Sequence, residues 1–193
     1  MNAAVSILLR VSTLIDALNE RIGHLVYWLV LAAALVSAGN ASVRYAFDTS
    51  SNAWLELQWY LYSAVFLLCA GYTLLHNEHV RIDVIIGHLP PKLRAWIDLL
   101  GGLLFLLPMA IVIMVLAWPV VVEAYVRNEF SADTGGLLRW PVKLLIPAGF
   151  LLLALQGVSE IIKRALFLAG RIPDPVEAHR EPMAEEFLKG SVE

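Results

Sequence analysis

The stretch HNEHVRIDVIIGHLP, residues 76–90, is polar and lies between two apolar parts of the chain. His76 and His79 are three residues apart, so they would share one face of a helix, and Glu78 and Asp83 are close by. Imidazole and carboxylate groups in such an arrangement are ligands for zinc and similar metals. The sequence offers no second ligand cluster and no H-E-x-x-H pattern. We therefore predict neither a metal nor another cofactor.

A structural interpretation of the same stretch accounts for more of its residues. Apolar residues recur at helical spacing within it, at Ile82, Ile85, Ile86 and Leu89. Asp83 stands near the start of this pattern, where a carboxylate favours the exposed N–H groups of a helix. The pattern predicts a polar turn and a short helix at the membrane surface, where basic groups also meet lipid phosphate. The candidates for structural or interface roles here are Glu78, His79, Arg81, Asp83 and Pro90.

Glu56 is a second candidate, because it stands at one end of a long apolar run. A carboxylate at membrane depth is a functional candidate by default. It would be hydrated if it lay at the level of the lipid headgroups. We expect a structural role, such as pairing with Arg44, and proton or ion coupling is the alternative.

Haem binding is a further possibility, because His24 and His76 could lie near the same membrane edge. A four-helix redox subunit would hold haem between such histidines. Haem-binding membrane proteins usually place them within facing helices. In this sequence every histidine lies at the edge of an apolar run or in a loop.

The elements that position these residues follow from composition. The chain has 193 residues, of which 59% are hydrophobic and 16% are charged, whereas soluble domains carry about 25% charged residues. The net charge of −3 gives no indication of a nucleic-acid partner. Four runs lack formal charges, namely Ile22–Val43, Leu57–Asn77, Leu99–Val122 and Leu144–Ser159. Since about 20 apolar residues span a bilayer as a helix, we predict an all-α membrane protein with four transmembrane helices.

The predicted bounds of these helices use local signals. The first helix runs from His24 to Val43 and the second from Trp54 to His76. The third begins at Pro91, because proline suits a first helical turn, and Pro108 and Pro119 should bend it. The fourth runs from Trp140 to Leu168.

The two ends of the chain differ from this four-helix domain, residues 22–168. Residues 1–21 are predicted to form an amphipathic helix in the membrane interface, or alternatively an extension of the first spanning helix. Residues 169–193 contain three prolines and many charges, which predicts a disordered cytoplasmic tail.

Orientation follows from the positive-inside rule. If both termini are cytoplasmic, eight basic residues lie near the inner side and four near the outer side. The inner ones are Arg10, Arg21, Arg81, Lys92, Arg94, Lys163, Arg164 and Arg171. The outer ones are Arg44, Arg127, Arg139 and Lys143. We therefore expect a multi-pass protein of the bacterial inner membrane with both termini cytoplasmic.

Three stretches resemble a known family. They are VRYAF at Val43–Phe47, the pair Trp54 and Glu56, and EHVRIDVIIGHLP at Glu78–Pro90. Together with the length and the four-helix layout, they resemble the small permease subunit of tripartite ATP-independent periplasmic (TRAP) transporters, the DctQ-like family, over about residues 20–168. The sequence departs from the common family pattern after Glu56, where many members have a second acidic residue and an arginine.

The resemblance implies a transporter subunit without catalytic or substrate-binding residues. Its expected partners are a large permease subunit, which holds the substrate and sodium sites, a periplasmic substrate-binding protein and membrane lipids. The small subunit would extend the fixed scaffold for sodium-driven uptake of an organic, carboxylate-bearing solute. The residues agree with this, because no predicted helix carries a continuous polar face for a transport pathway.

Overall fold

The computed structural model describes residues 3–49, 51–77 and 89–174, and within these ranges the chain is helical. The α-helices are α1 Ala3–Val26, α2 Trp28–Phe47, α3 Asn52–Leu68, α4 Ala70–Leu75, α5 Pro91–Gly101, α6 Leu107–Val126 and α7 Trp140–Leu168. A π-helical turn, Gly102–Leu106, joins α5 to α6. The described residues contain no β-strand, only an isolated bridge between Phe130 and Leu138.

Four helical stretches are long and apolar enough to cross a membrane, which confirms the predicted fold class. They are Ala3–Phe47, Asn52–Leu75, Pro91–Val126 and Trp140–Leu168. The third begins at the predicted proline and the fourth has the predicted bounds. The second begins at Asn52, two residues before the predicted start, and ends at Leu75.

The first helical stretch is longer than the predicted span His24–Val43 and fits the alternative in which the N-terminal residues extend that helix. Only Tyr27 separates α1 from α2, and its backbone remains in the right-handed helical region with φ −60° and ψ −28°. No proline interrupts residues 3–47, so the helix has no local reason to end near residue 21. A helix of 45 residues is about 68 Å long at 1.5 Å per residue. That is about twice the hydrocarbon thickness of a bilayer.

The hydrogen bonding of the third helix changes just before Pro108, one of the two prolines at which a bend was predicted. Proline has no N–H to donate to the carbonyl four residues earlier. Immediately before it, Leu107 donates its N–H to the carbonyl of Gly102, which is a π-type bond. Pro119 lies inside α6, and that helix continues to Val126.

The central element is α7, which packs against α1, α3, α4, α5, α6 and the π-helical turn. Glycines allow the closest approaches. A Cβ atom at Gly149 would lie 2.5 Å from the carbonyl oxygen of Leu67, and one at Gly157 would lie 2.5 Å from Cδ2 of Leu106. By contrast, α2 packs mainly on α3 and buries only Ala33.

The amphipathic pattern of α1 is present, and its polar side faces inward. Ser12, Asn19 and Gly23 are buried, whereas Ile7 and Leu14 are 62% and 70% exposed. In a soluble protein the apolar side would be buried. The arrangement in α1 suits a helix whose outer surface meets hydrocarbon.

Candidate functional site

Glu56 joins α3 to the segment between α6 and α7. Its carboxylate accepts a hydrogen bond from the backbone N–H of Leu137 at 2.7 Å and another from the hydroxyl of Ser131. Arg139 donates to the same hydroxyl at 3.3 Å. The carboxylate is therefore a fixed acceptor that holds a loop onto the end of a spanning helix.

Further bonds fasten the same loop. Tyr60 donates its hydroxyl to the carbonyl of Leu138 at 2.7 Å, and the side-chain amide of Asn52 donates to the carbonyl of Thr134 at 3.1 Å. With Glu56, these residues present three polar groups from α3 to one loop. At the start of α7, Lys143 forms an ion pair with Glu129. We call this region the Glu56 end of the molecule.

The loop turns through two glycines, and both are needed for its shape. Gly135 has φ +76°, a conformation that other residues rarely adopt. A Cβ atom at Gly136 would lie 2.4 Å from Cβ of Ser131 and 2.8 Å from Oε1 of Glu56. A glycine at 136 thus lets the loop approach the carboxylate closely.

The suggested pairing of Glu56 with Arg44 is wrong. The partners of Glu56 are Ser131 and Leu137. Arg44 lies in the exposed last turn of α2, and within the described ranges it forms no ion pair. The prediction looked for a positive charge to pair with Glu56. Its partners are a backbone N–H and a hydroxyl, which carry no formal charge.

A second polar cluster, which we call the α1–α7 seam, lies at the opposite end of α7. Ser12 and Ser159 share a hydrogen bond of 2.7 Å between their hydroxyls. Asn19 donates to the side-chain oxygen of Gln156 at 3.0 Å, and Gln156 donates to Asp16 at 2.8 Å. Gln156 and Ser159 are fully buried. Buried amides and hydroxyls of this kind stabilise a contact only when they are paired.

Charged groups extend the seam. Asp16 accepts a bond of 2.7 Å from the hydroxyl of Ser159 and forms an ion pair of 3.2 Å with Lys163. Lys163 also pairs with Glu160. Nearby, Arg164 is 3% exposed and lies between Asp98 of α5, at 3.3 Å, and Asp174, at 3.6 Å. We call this region the Arg164 end.

The two histidines considered for haem share a carboxylate instead. His76 Nε2 lies 2.8 Å from Oε2 of Glu20, and His24 Nδ1 lies 2.9 Å from the backbone carbonyl oxygen and 3.5 Å from Oε1 of the same residue. Tyr72 makes ring contacts with both imidazoles. The described residues contain no group of three or more histidine, cysteine, aspartate or glutamate side chains that could hold a metal ion.

Most of the polar stretch that was singled out in the sequence, residues 78–88, lies outside the described residues. The candidates Glu78, His79, Arg81 and Asp83 are among them. Pro90 is described. It precedes α5 with φ −60° and ψ 145°, and its carbonyl accepts bonds from the backbone N–H groups of Leu93 and Arg94 at 2.9 and 3.1 Å.

Sequence reasoning missed the α1–α7 seam, although a signal for it was present. Polar or small residues recur in α1 at helical spacing, at Ser12, Asp16, Asn19 and Gly23. The same spacing occurs in α7, at Gln156, Ser159, Glu160 and Lys163. Two such stripes in one apolar chain favour a polar contact between the two helices, because hydrocarbon cannot satisfy them.

Residues 33–167 match the family model described as "Tripartite ATP-independent periplasmic transporters, DctQ component". No curated protein and no solved structure gives a match. The matched region runs from α2 to the end of α7 and includes both Glu56 and the α7 side of the seam. The haem-binding alternative gains no support from this match. The chain belongs to the DctQ family and is a membrane component of a TRAP transporter.

Proposed function

We propose that this chain is the small membrane subunit that scaffolds the large permease during sodium-driven symport of an organic solute. The solute carries a carboxylate and is delivered by a periplasmic substrate-binding protein. The chain itself binds no solute and catalyses no reaction. The family match supports the role of transporter component, and the resemblance in sequence supports the coupling ion and the solute class.

The observation that carries this proposal is where the ionisable groups of the spanning helices lie. Glu56 and Lys143 lie at one end, and Asp98, Lys163 and Arg164 lie at the other. Each binds another part of the same chain, so these groups hold helices and loops together. A solute pathway needs polar groups that line a passage through the bilayer and remain available to the solute.

We further propose that the protein lies in the inner membrane with both termini cytoplasmic. The Arg164 end would then face the cytoplasm and the Glu56 end the periplasm. On this arrangement residues 1–21 lie at the cytoplasmic interface, where the exposed apolar side chains of α1 meet acyl chains, and residues 169–193 form a cytoplasmic tail. The excess of basic residues at the Arg164 end supports this orientation.

For the stretch 76–90 we propose an architectural role at the cytoplasmic junction, with Asp83 as a hydrogen-bond acceptor. Replacing a capping acceptor costs roughly 0.5–2 kcal/mol. Asp83→Asn keeps an acceptor and is expected to leave the large permease bound, whereas Asp83→Leu is expected to weaken its retention. Stoichiometric metal in the purified subunit, lost on changing His76 and His79 to alanine, would contradict this role.

Copurification and uptake with the large permease test the scaffold proposal. The two subunits are coexpressed, purified through a tag on the small one, and reconstituted with the binding protein under a sodium gradient. We expect the large permease to copurify and uptake to require both membrane subunits. Full uptake by the large permease without this chain would contradict the scaffold role.

A further inference from the structure

Two of the spanning helices have few buried residues but differ sharply in polarity. The most apolar window of Pro91–Val126 is 6% buried inside the chain and has a mean hydropathy of 2.8. The corresponding window of Asn52–Leu75 is 11% buried and has a mean hydropathy of only 1.2. Since the chain itself leaves a large part of each helix surface exposed, that part must be covered by lipid or by another protein. The difference in polarity separates these two possibilities.

The bare side of α6 is suited to lipid. Four neighbouring residues on this side are aliphatic and exposed, namely Ile111, Val112, Val115 and Leu116, at 47%, 54%, 58% and 68%, and one exposed aromatic residue, Trp118 at 56%, follows them toward the end of the helix. Hydrocarbon tails cover such a surface without leaving any polar group unsatisfied.

The exposed side of α3 carries aromatic and polar residues. We call it the α3 face, and it consists of Gln58, Trp59, Tyr62, Ser63, Phe66 and Leu67. They line an open groove of about 610 Å³. Trp59 is 75% exposed, Tyr62 is 54% exposed and Phe66 is 81% exposed. The face continues into a second groove of about 580 Å³, which shares Phe66 and Leu67 and extends to Thr73 and Gly149.

The depth of Tyr62 shows that lipid alone does not suit this face. Tyr62 lies ten residues after Asn52, the first residue of α3, and therefore about 15 Å along the helix. That is about the middle of a hydrocarbon core of about 30 Å. Within the described ranges, neither the Tyr62 hydroxyl nor the Gln58 amide has a hydrogen-bond partner. At the depth of Tyr62 only another protein supplies a partner, because no water reaches hydrocarbon. Gln58 lies one turn closer to the Glu56 end, on the same face.

We propose that the α3 face is the surface against which a transmembrane helix of the large permease packs. This inference rests on the proposed function, and it assigns the contact to one side of one helix. Tyr62 and Gln58 bond to polar groups of that helix, and Trp59 and Phe66 supply the large aromatic contacts that dominate many interfaces. A partner helix with small residues opposite the groove would bring the two backbones close.

Photocrosslinking in the intact complex tests the assignment. Benzoylphenylalanine replaces either Tyr62 or Val115 in the small subunit, which is coexpressed with the large permease. The control is closely matched. Val115 lies eleven residues before Val126, the last residue of α6. That end of α6 and the start of α3 lie on the same side of the bundle, so positions 115 and 62 have similar depths. Val115 is 58% exposed, against 54% for Tyr62.

The expected result is an adduct with the mass of the small plus the large subunit from position 62 and none from position 115. The proposal is overturned by an adduct with the large subunit from position 115, by an adduct between two small subunits at position 62, or by no protein adduct at position 62. If the wild-type small subunit fails to retain the large permease at all, the proposed function itself fails. Copurification before irradiation separates that outcome from the others.

A substitution provides a second measurement. Ser63→Trp fills the groove of the α3 face, whereas Val112→Trp adds the same bulk to the lipid-facing side of α6. We expect Ser63→Trp to reduce the retained large permease by roughly tenfold or more, as expected for disruption of an interface centre. Val112→Trp should leave its retention unchanged. Equal retention in the two variants would overturn the assignment.

Discussion

Glu56 is a carboxylate near the membrane surface that stabilises the structure through hydrogen bonds and without an oppositely charged partner. It accepts bonds from a backbone N–H and a hydroxyl of the loop that it holds. Hydrogen bonds to an ionised acceptor are among the stronger ones in proteins. The residue therefore fixes a loop, and its loss should affect the stability of the Glu56 end more than any transport chemistry.

Glu56→Ala should lower the Tm of the purified subunit by a few degrees, because the Leu137 N–H and the Ser131 hydroxyl lose their acceptor. Glu123→Ala is the control. Glu123 is 59% exposed, and among the described residues its ion pair is with Arg127, one turn away on the same helix. Such surface pairs contribute little. Thermal unfolding in detergent measures both variants, and equal Tm values for the two would contradict the loop-fixing role.

At the scale of elements, α7 holds the molecule together through two kinds of contact. Glycines at 149 and 157 allow close packing with α3 and the π-helical turn. Paired polar groups at Gln156 and Ser159 bind α1. In a membrane, small residues and interhelical hydrogen bonds drive association, since lipid weakens the hydrophobic contribution.

Gln156→Leu should loosen α1 from α7, because it leaves the Asn19 amide without its acceptor at position 156 and removes a donor to Asp16. An unsatisfied buried group of this kind costs about 1–3 kcal/mol. Hydrogen exchange in α1 should therefore become faster. Val158→Ala, at a position 37% exposed on the same helix, is the control and should leave exchange in α1 unchanged. Unaltered exchange in Gln156→Leu would show that the seam does not hold α1.

The sequence predicted the elements better than their contacts. Proline at 91 and the start at Trp140 mark helix beginnings through local chemistry, so the third and fourth helices were predicted closely. The boundary between α1 and α2 was not predicted closely, because residues 3–47 contain no proline that would end a helix. Where the membrane-spanning part begins depends on the position of the membrane. The partners of Glu56 also escaped prediction. They are a hydroxyl and a backbone N–H more than 70 residues away, and only the fold brings them together.

At the scale of the whole molecule, orientation in the membrane decides what each end can contact. A reporter active only in the cytoplasm, fused after Leu168, should be active, because basic residues are concentrated on that side. A fusion of the same reporter within the loop at residues 131–136 should be inactive. The opposite pattern would place the Arg164 end in the periplasm and contradict the proposed topology.

Transport by the isolated subunit tests the central claim most directly. The purified chain is placed in liposomes with a sodium gradient, the binding protein and its solute, in parallel with liposomes that also contain the large permease. We predict uptake only when both membrane subunits are present, because Glu56, Lys143, Lys163 and Arg164 bind other parts of this chain at its two ends. Sodium-dependent uptake by the small subunit alone would contradict the scaffold account.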